Sequence, residues 1–223
     1  MCGRFALIVD AAVLADVFDV DPPRQLQPRF NIAPTQTIPI VRAGKDDARE
    51  YSMVRWGLVP SWAKDDRIGA RMINARGETV AEKPSFRSAV KSRRCLIPAD
   101  GFYEWVRTES GKQPHFIHFA DRRPFAFAGL WERWHKGEGG PLDTCTIITT
   151  TPNELIADLH DRMPVILPPD RFEEWLEPAP LTPERLQEVL APHPPEGMEA
   201  YPVSTYVNKP VNEGPECIVR LTL

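Results

Sequence analysis

Short segments in which apolar and polar positions alternate recur along this 223-residue chain. β-Branched and aromatic residues dominate these segments, and Gly, Pro or Asp bounds them, which is the pattern of β-strands. The pattern predicts strands at residues 38–41, 51–56, 95–97, 102–106, 115–119, 125–130, 144–149, 165–167 and 217–223. This number of strands excludes an all-helical fold.

Helices are predicted from their caps and their apolar spacing. In Thr151-Pro152-Asn153-Glu154, a Thr N-cap precedes Pro, and Glu follows three residues after the cap, so a helix is expected through residues 155–159. His160 then lies near the C-terminus of that helix. Three other helices are predicted: one over residues 10–18, one over residues 170–176, and one that begins at Thr182-Pro183.

These elements predict an α+β fold: a single domain over residues 1–223, with a large curved or barrel-like, mainly antiparallel sheet and a few peripheral helices. Hydrophobic residues are 42% of the chain and charged residues 26%, as in soluble globular proteins. No apolar run reaches the roughly 20 residues that span a bilayer, and the N-terminus lacks the features of a secretory signal. We expect an intracellular, cytoplasmic protein with no membrane role.

The cysteines Cys2, Cys95, Cys145 and Cys217 lack the close spacing of zinc sites. This spacing leads us to expect no metal. Thiols stay reduced inside cells, so we also expect no disulfide. No cofactor is expected. Cys95 and Cys145 stand in apolar strand segments, which predicts buried structural thiols, and Cys217 is expected to follow them.

Charge is unevenly distributed although the net charge is only −4. Residues 1–110 hold 17 Lys and Arg against 14 Asp and Glu, whereas the remainder holds 10 against 17. Between Arg67 and Arg94, eight basic residues face two acidic ones. This stretch is either a solvated basic face or a phosphate-binding surface.

Cys2 offers the most distinctive chemistry, because removal of Met1 would expose a 1,2-aminothiol. Reference pKa values of about 7.7–8.0 for the amine and about 8.5 for the thiol leave both partly nucleophilic near neutral pH. The amine condenses with an aldehyde to an imine, and the thiol then closes a five-membered thiazolidine on the same carbon. The alternative is an incidental Cys at a frayed terminus. Gly3 and Arg4 favour a site, since Arg4 supplies a fork for an anion.

Glu104 and His160 are candidates for proton transfer. Glu104 stands in an apolar strand segment on the same face as Phe102 and Val106, so it is either a buried carboxylate with a raised pKa or an outward-facing strand residue. His160 titrates nearest to neutrality, or else simply stabilises a helix C-terminus.

Asn74 and Arg76 point the same way if their segment is extended. The amide then orients a nucleophile while the guanidinium grips a phosphate, although a turn over residues 75–77 fits the same residues. Pro34, Trp56 and Trp62 stand near basic residues, where aromatic rings stack on unpaired bases, or they belong to the core.

The ordered motifs of this chain resemble those of the SRAP family (SOS response-associated peptidase). The motifs are Met1-Cys2-Gly3-Arg4-Phe5, Phe30-Asn31-Ile32-Ala33-Pro34-Thr35, Arg55-Trp56-Gly57-Leu58-Val59-Pro60, Ile73-Asn74-Ala75-Arg76-Gly77-Glu78-Thr79, Arg94-Cys95-Leu96-Ile97-Pro98-Ala99-Asp100-Gly101-Phe102-Tyr103-Glu104-Trp105 and His160-Asp161-Arg162-Met163-Pro164. They span residues 1 to about 164, and the resemblance thins beyond Leu167.

The resemblance implies an abasic-site sensor for single-stranded DNA that captures the lesion as a thiazolidine DNA–protein cross-link and shields it from strand cleavage. By resemblance, Cys2 is the nucleophile, Asn74 positions it, Glu104 handles protons and His160 assists opening of the sugar ring. The implied DNA contacts are Arg4, Arg76 and Arg162 to phosphates, with Pro34 and Trp62 wedged or stacked at the lesion.

The resemblance also implies hydrolase activity toward the protein's own N-terminus and lyase-like chemistry. Met1 leaves either by self-cleavage or through an aminopeptidase. We expect a monomer, since a single-turnover capture agent needs no second subunit.

Two other functions fit the same residues. An N-terminal-nucleophile amidotransferase uses a mature N-terminal Cys with its own amine as base, and it predicts amide hydrolysis without a stable adduct. A non-catalytic single-strand binder would use the basic stretch and the aromatic residues alone.

Overall fold

The structure is a computed structural model that describes residues 2–23, 26–45, 48–109, 111–137 and 139–222. Its strands form two sheets of five and eight strands. The strands are β1 (Phe5–Leu7), β2 (Arg29–Ile32), β3 (Thr37–Ala43), β4 (Arg49–Trp56), β5 (Asn74–Arg76), β6 (Arg94–Ala99), β7 (Gly101–Thr108), β8 (Gly111–Phe119), β9 (Phe125–Trp134), β10 (Leu142–Thr150), β11 (Met163–Pro164), β12 (Ile166–Leu167) and β13 (Met198–Pro202).

The larger sheet closes into a five-stranded barrel. Its order β10-β4-β3-β6-β9 returns to β10, because β9 and β10 pair antiparallel from Leu142↔Trp134 to Ile147↔Gly129. β10 pairs parallel with β4 and with β5, and the other described pairings of this sheet are antiparallel. Closure satisfies the backbone groups that open edges would leave unpaired.

The smaller sheet has the order β13-β8-β7-β1-β2, with antiparallel pairing throughout. One face packs on the barrel, since Phe102 and Ile117 belong to the same core cluster as the barrel residues Ile97 and Phe127. The other face carries Tyr103 and Phe116 into a second cluster, which the C-terminal segment covers through Val203, Val207 and Cys217. Strand alternation thus buries both faces of the first half of β7.

The helices are short and lie outside the sheets. They are α1 (Ala11–Phe18), α2 (Ala89–Ser92), α3 (Glu154–Ala157), α4 (Phe172–Leu176) and α5 (Pro183–Val189). Short 3-10 helices span Asp66–Arg71, Gly77–Thr79, Pro169–Arg171, Thr205–Asn208 and Pro215–Ile218. Within the described ranges, no helix is long and apolar enough to cross a membrane.

The α+β class and the barrel-like, mainly antiparallel sheet are confirmed, and so are eight of the nine predicted strands. All of these except β12 are longer than expected. The helices at residues 10–18, 170–176 and from Thr182 are also confirmed, with side-chain caps from Asp10 and Thr182. The prediction missed β1, β2, β5, β11 and β13.

Two predictions were wrong. Residues 217–223 do not form a strand: Pro215 begins a 3-10 helix that includes Cys217, Arg220 makes only an isolated bridge with Val203, and Leu223 lies outside the described residues. Thr151 does not cap α3, because the Asn153 side chain accepts the Ile156 N–H at 3.0 Å and starts the helix two residues later.

The basic stretch from Arg67 to Arg94 is only partly a solvent-exposed surface. Arg94 is 2% exposed and donates to the backbone carbonyls of Val90, Lys91, Trp175, Glu177 and Ala179. Burial lowers the pKa of Arg94. Arg94 therefore ties β6 to the ends of α2 and α4 and contributes no surface charge.

Replacing Arg94 by Lys should destabilise the protein by about 2–4 kcal/mol, because a single ammonium cannot reach the carbonyls that the guanidinium fork serves. Urea unfolding of the Arg94→Lys variant measures this loss. Arg87→Lys, at an exposed position of the same basic stretch, is the control and should change stability by less than about 0.5 kcal/mol. Equal stability of Arg94→Lys and wild type would contradict a structural role for this guanidinium.

Candidate active site

Antiparallel pairing with β7 places Cys2. Phe5 pairs with Phe102, and the Tyr103 N–H donates to Arg4 O at 3.0 Å, so the chain start runs along β7 toward Glu104. Cys2 is fully buried, and its thiol lies 3.9 Å from Arg4 O. Burial raises the pKa of this thiol well above its ordinary value, and the charge of Glu104 adds to the effect. In the folded chain, burial therefore opposes the partial ionisation of this thiol that its reference pKa predicts near neutral pH.

Asn74 reaches Cys2 from the barrel. β5 pairs parallel with β10, with Asn74 opposite Ile147, and the Asn74 amide Nδ2 donates to Cys2 O at 2.8 Å. The expected extended segment is confirmed, and the alternative turn begins only at Gly77. Trp56 contacts both the Asn74 strand and the start of the chain. Its Nε1 donates to Ile73 O at 2.9 Å, and its ring lies 5.3 Å from that of Phe5.

Glu104 is a buried carboxylate, 3% exposed, on the β7 face that also carries Phe102. Of the two alternatives predicted for Glu104, the structure therefore shows the buried one. Burial raises the pKa of Glu104, and the nearby His160 opposes that shift. Glu104 also acts electrostatically on Cys2, so the Cys2, Glu104 and His160 side chains lie close enough to influence one another's ionisation.

His160 follows α3, and its backbone N–H donates to Ile156 O at 2.8 Å. Its Nδ1 lies 3.0 Å from the Arg162 N–H and 2.8 Å from an Asp161 carboxylate oxygen. These contacts require different protonation states: Nδ1 accepts from Arg162 when unprotonated and donates to Asp161 when protonated. In the first state the ring proton sits on Nε2.

The three candidate arginines have different surroundings. Nη1 of Arg4 donates to Asn31 Oδ1 at 2.7 Å and to Val207 O at 2.9 Å, and burial lowers the pKa of this guanidinium. Arg76 is exposed on β5, two residues after Asn74. The guanidinium of Arg162 is mostly buried and forms a two-point ion pair with Glu78, with Nη1–Oε1 at 2.5 Å and Nη2–Oε2 at 2.9 Å.

The candidates for stacking or wedging, Trp56, Trp62 and Pro34, differ in their exposure to solvent. Trp56 is fully buried, whereas Trp62 is 52% exposed on the loop after β4. Pro34 is half-buried in a turn in which the Thr35 N–H donates to Trp56 O at 2.8 Å. Gly57 adopts a φ of 122°, and its closeness to Gly69 leaves no room for a Cβ, which fixes the base of the Trp62 loop.

The other cysteines are structural. Cys95, Cys145 and Cys217 are buried, as predicted. In the described part of the chain, no group of three or more His, Cys, Asp or Glu side chains is arranged to hold a metal ion.

Sequence reasoning missed four residues that shape the site: Glu78, Asp161, Trp56 as a support, and Thr149. Thr149 on β10 accepts from Arg162 Nη2 through its backbone carbonyl at 2.7 Å. In the quoted motifs, Glu78 lies two residues after Arg76, and Asp161 directly follows His160. Their closeness in sequence to candidate residues could have identified them.

The fold and the pocket define a barrel protein with an enclosed cysteine near its N-terminus, held by an amide and accompanied by a buried carboxylate and a histidine. A family model described as SOS response associated peptidase (SRAP) matches residues 1–210. The chain belongs to this family, and the match extends beyond residue 164, where the quoted motifs end.

Similar proteins include the abasic site processing protein YoqW of Bacillus subtilis (strain 168), 49% identical over 223 residues that cover 98% of this chain and 99% of YoqW. The abasic site processing protein HMCES of Gallus gallus is 34% identical, covering 100% of this chain and 79% of HMCES. A crystal structure of a Bacteroides thetaiotaomicron protein has a TM-score of 0.89 at 28% identity, covering 99% of this chain and 100% of that one.

The Glu104→Gln variant should become more stable relative to wild type as pH rises above 4.5. The folded state keeps the Glu104 proton at pH values where the unfolded chain, with an ordinary pKa of 4.5, has lost it. Wild-type stability therefore falls as pH rises from 4.5 through the folded-state pKa, and a Gln side chain removes this term. The gain is about 1.4 kcal/mol for each pH unit between the two pKa values.

Urea unfolding at several pH values measures this difference, with the exposed Glu109→Gln as control. Parallel pH profiles for wild type and Glu104→Gln would show that the Glu104 pKa is not raised.

Proposed function

We propose that this protein senses abasic sites in single-stranded DNA and captures them as a covalent cross-link that protects the lesion from strand cleavage. After removal of Met1, which lies outside the described residues, Cys2 forms a thiazolidine with C1′ of the ring-opened deoxyribose. The names of relatives at 49% and 34% identity support abasic-site processing as the function. The observation that carries the site assignment is the Asn74 hydrogen bond to Cys2 O beside Glu104.

The amine acts before the thiol in this scheme. The unprotonated α-amine of Cys2 adds to the C1′ aldehyde, and loss of water from the resulting carbinolamine gives an imine. The Cys2 sulfur then adds to C1′, and its proton passes to the imine nitrogen. Because burial keeps the thiol protonated, it enters as S–H once the more electrophilic imine exists.

Glu104 and His160 handle the protons. As a carboxylate, Glu104 takes a proton from the ammonium group, and as an acid it returns one to the leaving hydroxyl group. A raised pKa suits both steps, because general catalysis is most efficient when the pKa lies near the working pH. His160, with its proton on Nε2, donates to the ring oxygen as the closed sugar opens.

Arg4, Arg76 and Arg162 are proposed to hold the phosphates, and Pro34 with the exposed Trp62 to wedge or stack at the lesion. Support comes from the exposure of Arg76 and Trp62 and from the backbone hydrogen bonds between the Pro34 turn and Trp56. The Trp56 side chain in turn donates to Ile73 O, next to Asn74. Arg4 and Arg162 already have protein partners, so they bind phosphate with their remaining donors or by exchanging a partner.

The proposal includes hydrolysis of the Met1–Cys2 bond, which supplies the amine, and lyase-like chemistry at the imine stage. It also includes a single domain over residues 1–223, because one core cluster contains residues of both sheets, and a monomeric state. The DNA substrate is consistent with an intracellular site of action.

Mixing the Met1-free protein with a single-stranded oligonucleotide that carries one abasic site should give a band that survives a denaturing gel. Cys2→Ala keeps an α-amine but lacks the thiol, so its imine cannot close to a thiazolidine. We expect this variant to lose the stable band, to be trapped by borohydride, and to cleave the strand at the lesion. Cys217→Ala, which removes another buried thiol, is the control and should cross-link normally.

A stable adduct with Cys2→Ala would refute the thiazolidine. Hydrolysis of glutamine by the wild type without any adduct would favour the amidotransferase, and reversible binding alone would favour the non-catalytic binder.

Glu104→Gln and His160→Ala should each slow single-turnover cross-linking by about 10²–10⁴-fold, the usual size of general acid–base catalysis. Reversible binding of undamaged single strands should change little, since neither residue is proposed to contact phosphate. Quench-flow gels measure the rate, with exposed His135→Ala as the matched control. Unchanged rates would remove these residues from the mechanism.

A further inference from the structure

We propose that Glu78 determines how strongly the protein holds undamaged DNA, because its carboxylate occupies the phosphate-binding fork of Arg162 in the free protein. A DNA phosphate must displace this carboxylate before Arg162 can bind it. The inference rests on the proposed function, since it assigns a competitor to one of the proposed phosphate contacts.

The geometry is that of an anion seated in a guanidinium fork. Both carboxylate oxygens of Glu78 meet the two terminal nitrogens of Arg162, at 2.5 and 2.9 Å. Phosphate oxygens bind guanidinium groups through the same planar two-point arrangement. Carboxylate and phosphate therefore compete for one set of donors.

Arg162 does not depend on Glu78 for its position. Its Nη2 also donates to the Thr149 carbonyl at 2.7 Å, and its backbone N–H donates to His160 Nδ1 at 3.0 Å. The Arg162 side chain is only 13% exposed, whereas that of Glu78 is 48% exposed. The arginine is thus fixed by the barrel strand, and the carboxylate is the partner that can move away.

Glu78 also affects Arg76, the candidate phosphate contact two residues before it in the chain. Hydrogen bonding to Arg162 is the largest cause that lowers the pKa of Glu78, and the charge of Arg76 acts in the same direction. The carboxylate is thus ionised at neutral pH and reduces the positive potential of both arginines.

This competition weakens reversible binding to every strand, damaged or not. It does not weaken the cross-link, because a covalent bond holds the lesion once it has formed. Glu78 therefore limits the time spent on undamaged DNA while leaving captured lesions bound.

The test is the affinity of Glu78→Gln for an undamaged single-stranded oligonucleotide, measured by fluorescence anisotropy at several salt concentrations. Gln keeps the shape but lacks the charge, so we expect about 3–10-fold tighter binding at low salt. The slope of log K against log salt should steepen by about 0.7 for each additional phosphate that the variant neutralises.

Glu82→Gln is the matched control: it removes the same charge from an exposed residue for which the described structure shows no ion pair. It should change affinity much less. In an Arg162→Ala background, Glu78→Gln should lose most of its effect, because the fork that it frees is gone.

Unchanged or weaker binding by Glu78→Gln would overturn the inference, as would an equal increase in affinity from Glu82→Gln or a full increase without Arg162. These outcomes are separable from failure of the proposed function. A wild-type protein that does not cross-link an abasic strand would overturn that function, whereas the anisotropy measurement uses undamaged DNA and needs no cross-link.

Discussion

The pairing of β10 is the constraint on which the rest of this structure depends. Its first half pairs with β9 and, at Thr144 and Cys145, with β4, which closes the barrel. Its second half pairs with β5 and then with β11, so the strand that closes the barrel also positions Asn74 and the turn that holds His160. A one-residue slip of β5 would turn the Asn74 amide to the opposite face. The same strand, β10, therefore both closes the barrel and positions Asn74 and the His160 turn.

The barrel strands could be predicted because alternation and apolar content mark residues that face a shared core. Strands β1 and β5 have three residues each, too few to show a period, and their partners lie far along the chain. The segment from Cys217 alternates like a strand, but Pro215 begins a 3-10 turn, and Cys217 and Ile218 pack in the cluster under the smaller sheet instead. Local pattern fails where a long-range contact decides the conformation.

The candidate site could be predicted as a set of chemical groups but not as an arrangement. Cys2, Glu104 and His160 stand out by residue type, and motif order assigns them roles through the family. The partners of the arginines could not be foreseen, since Glu78 lies 84 residues from Arg162 and Val207 lies 203 residues from Arg4. The same holds for the thiol: its reference pKa belongs to an exposed cysteine, and only the packing along β7 shows that the group is enclosed.

Enclosure of the Cys2 sulfur has a consequence for the lifetime of the protein before it meets its substrate. Oxidation and disulfide exchange proceed through exposed thiolates, and a fully buried, protonated thiol offers neither exposure nor ionisation. In the proposed capture reaction the protein reacts once, so a spent nucleophile is not regenerated by turnover. For that proposed reaction, the packing of the first residues against β7 would keep the Cys2 thiol unoxidised until an aldehyde reaches it.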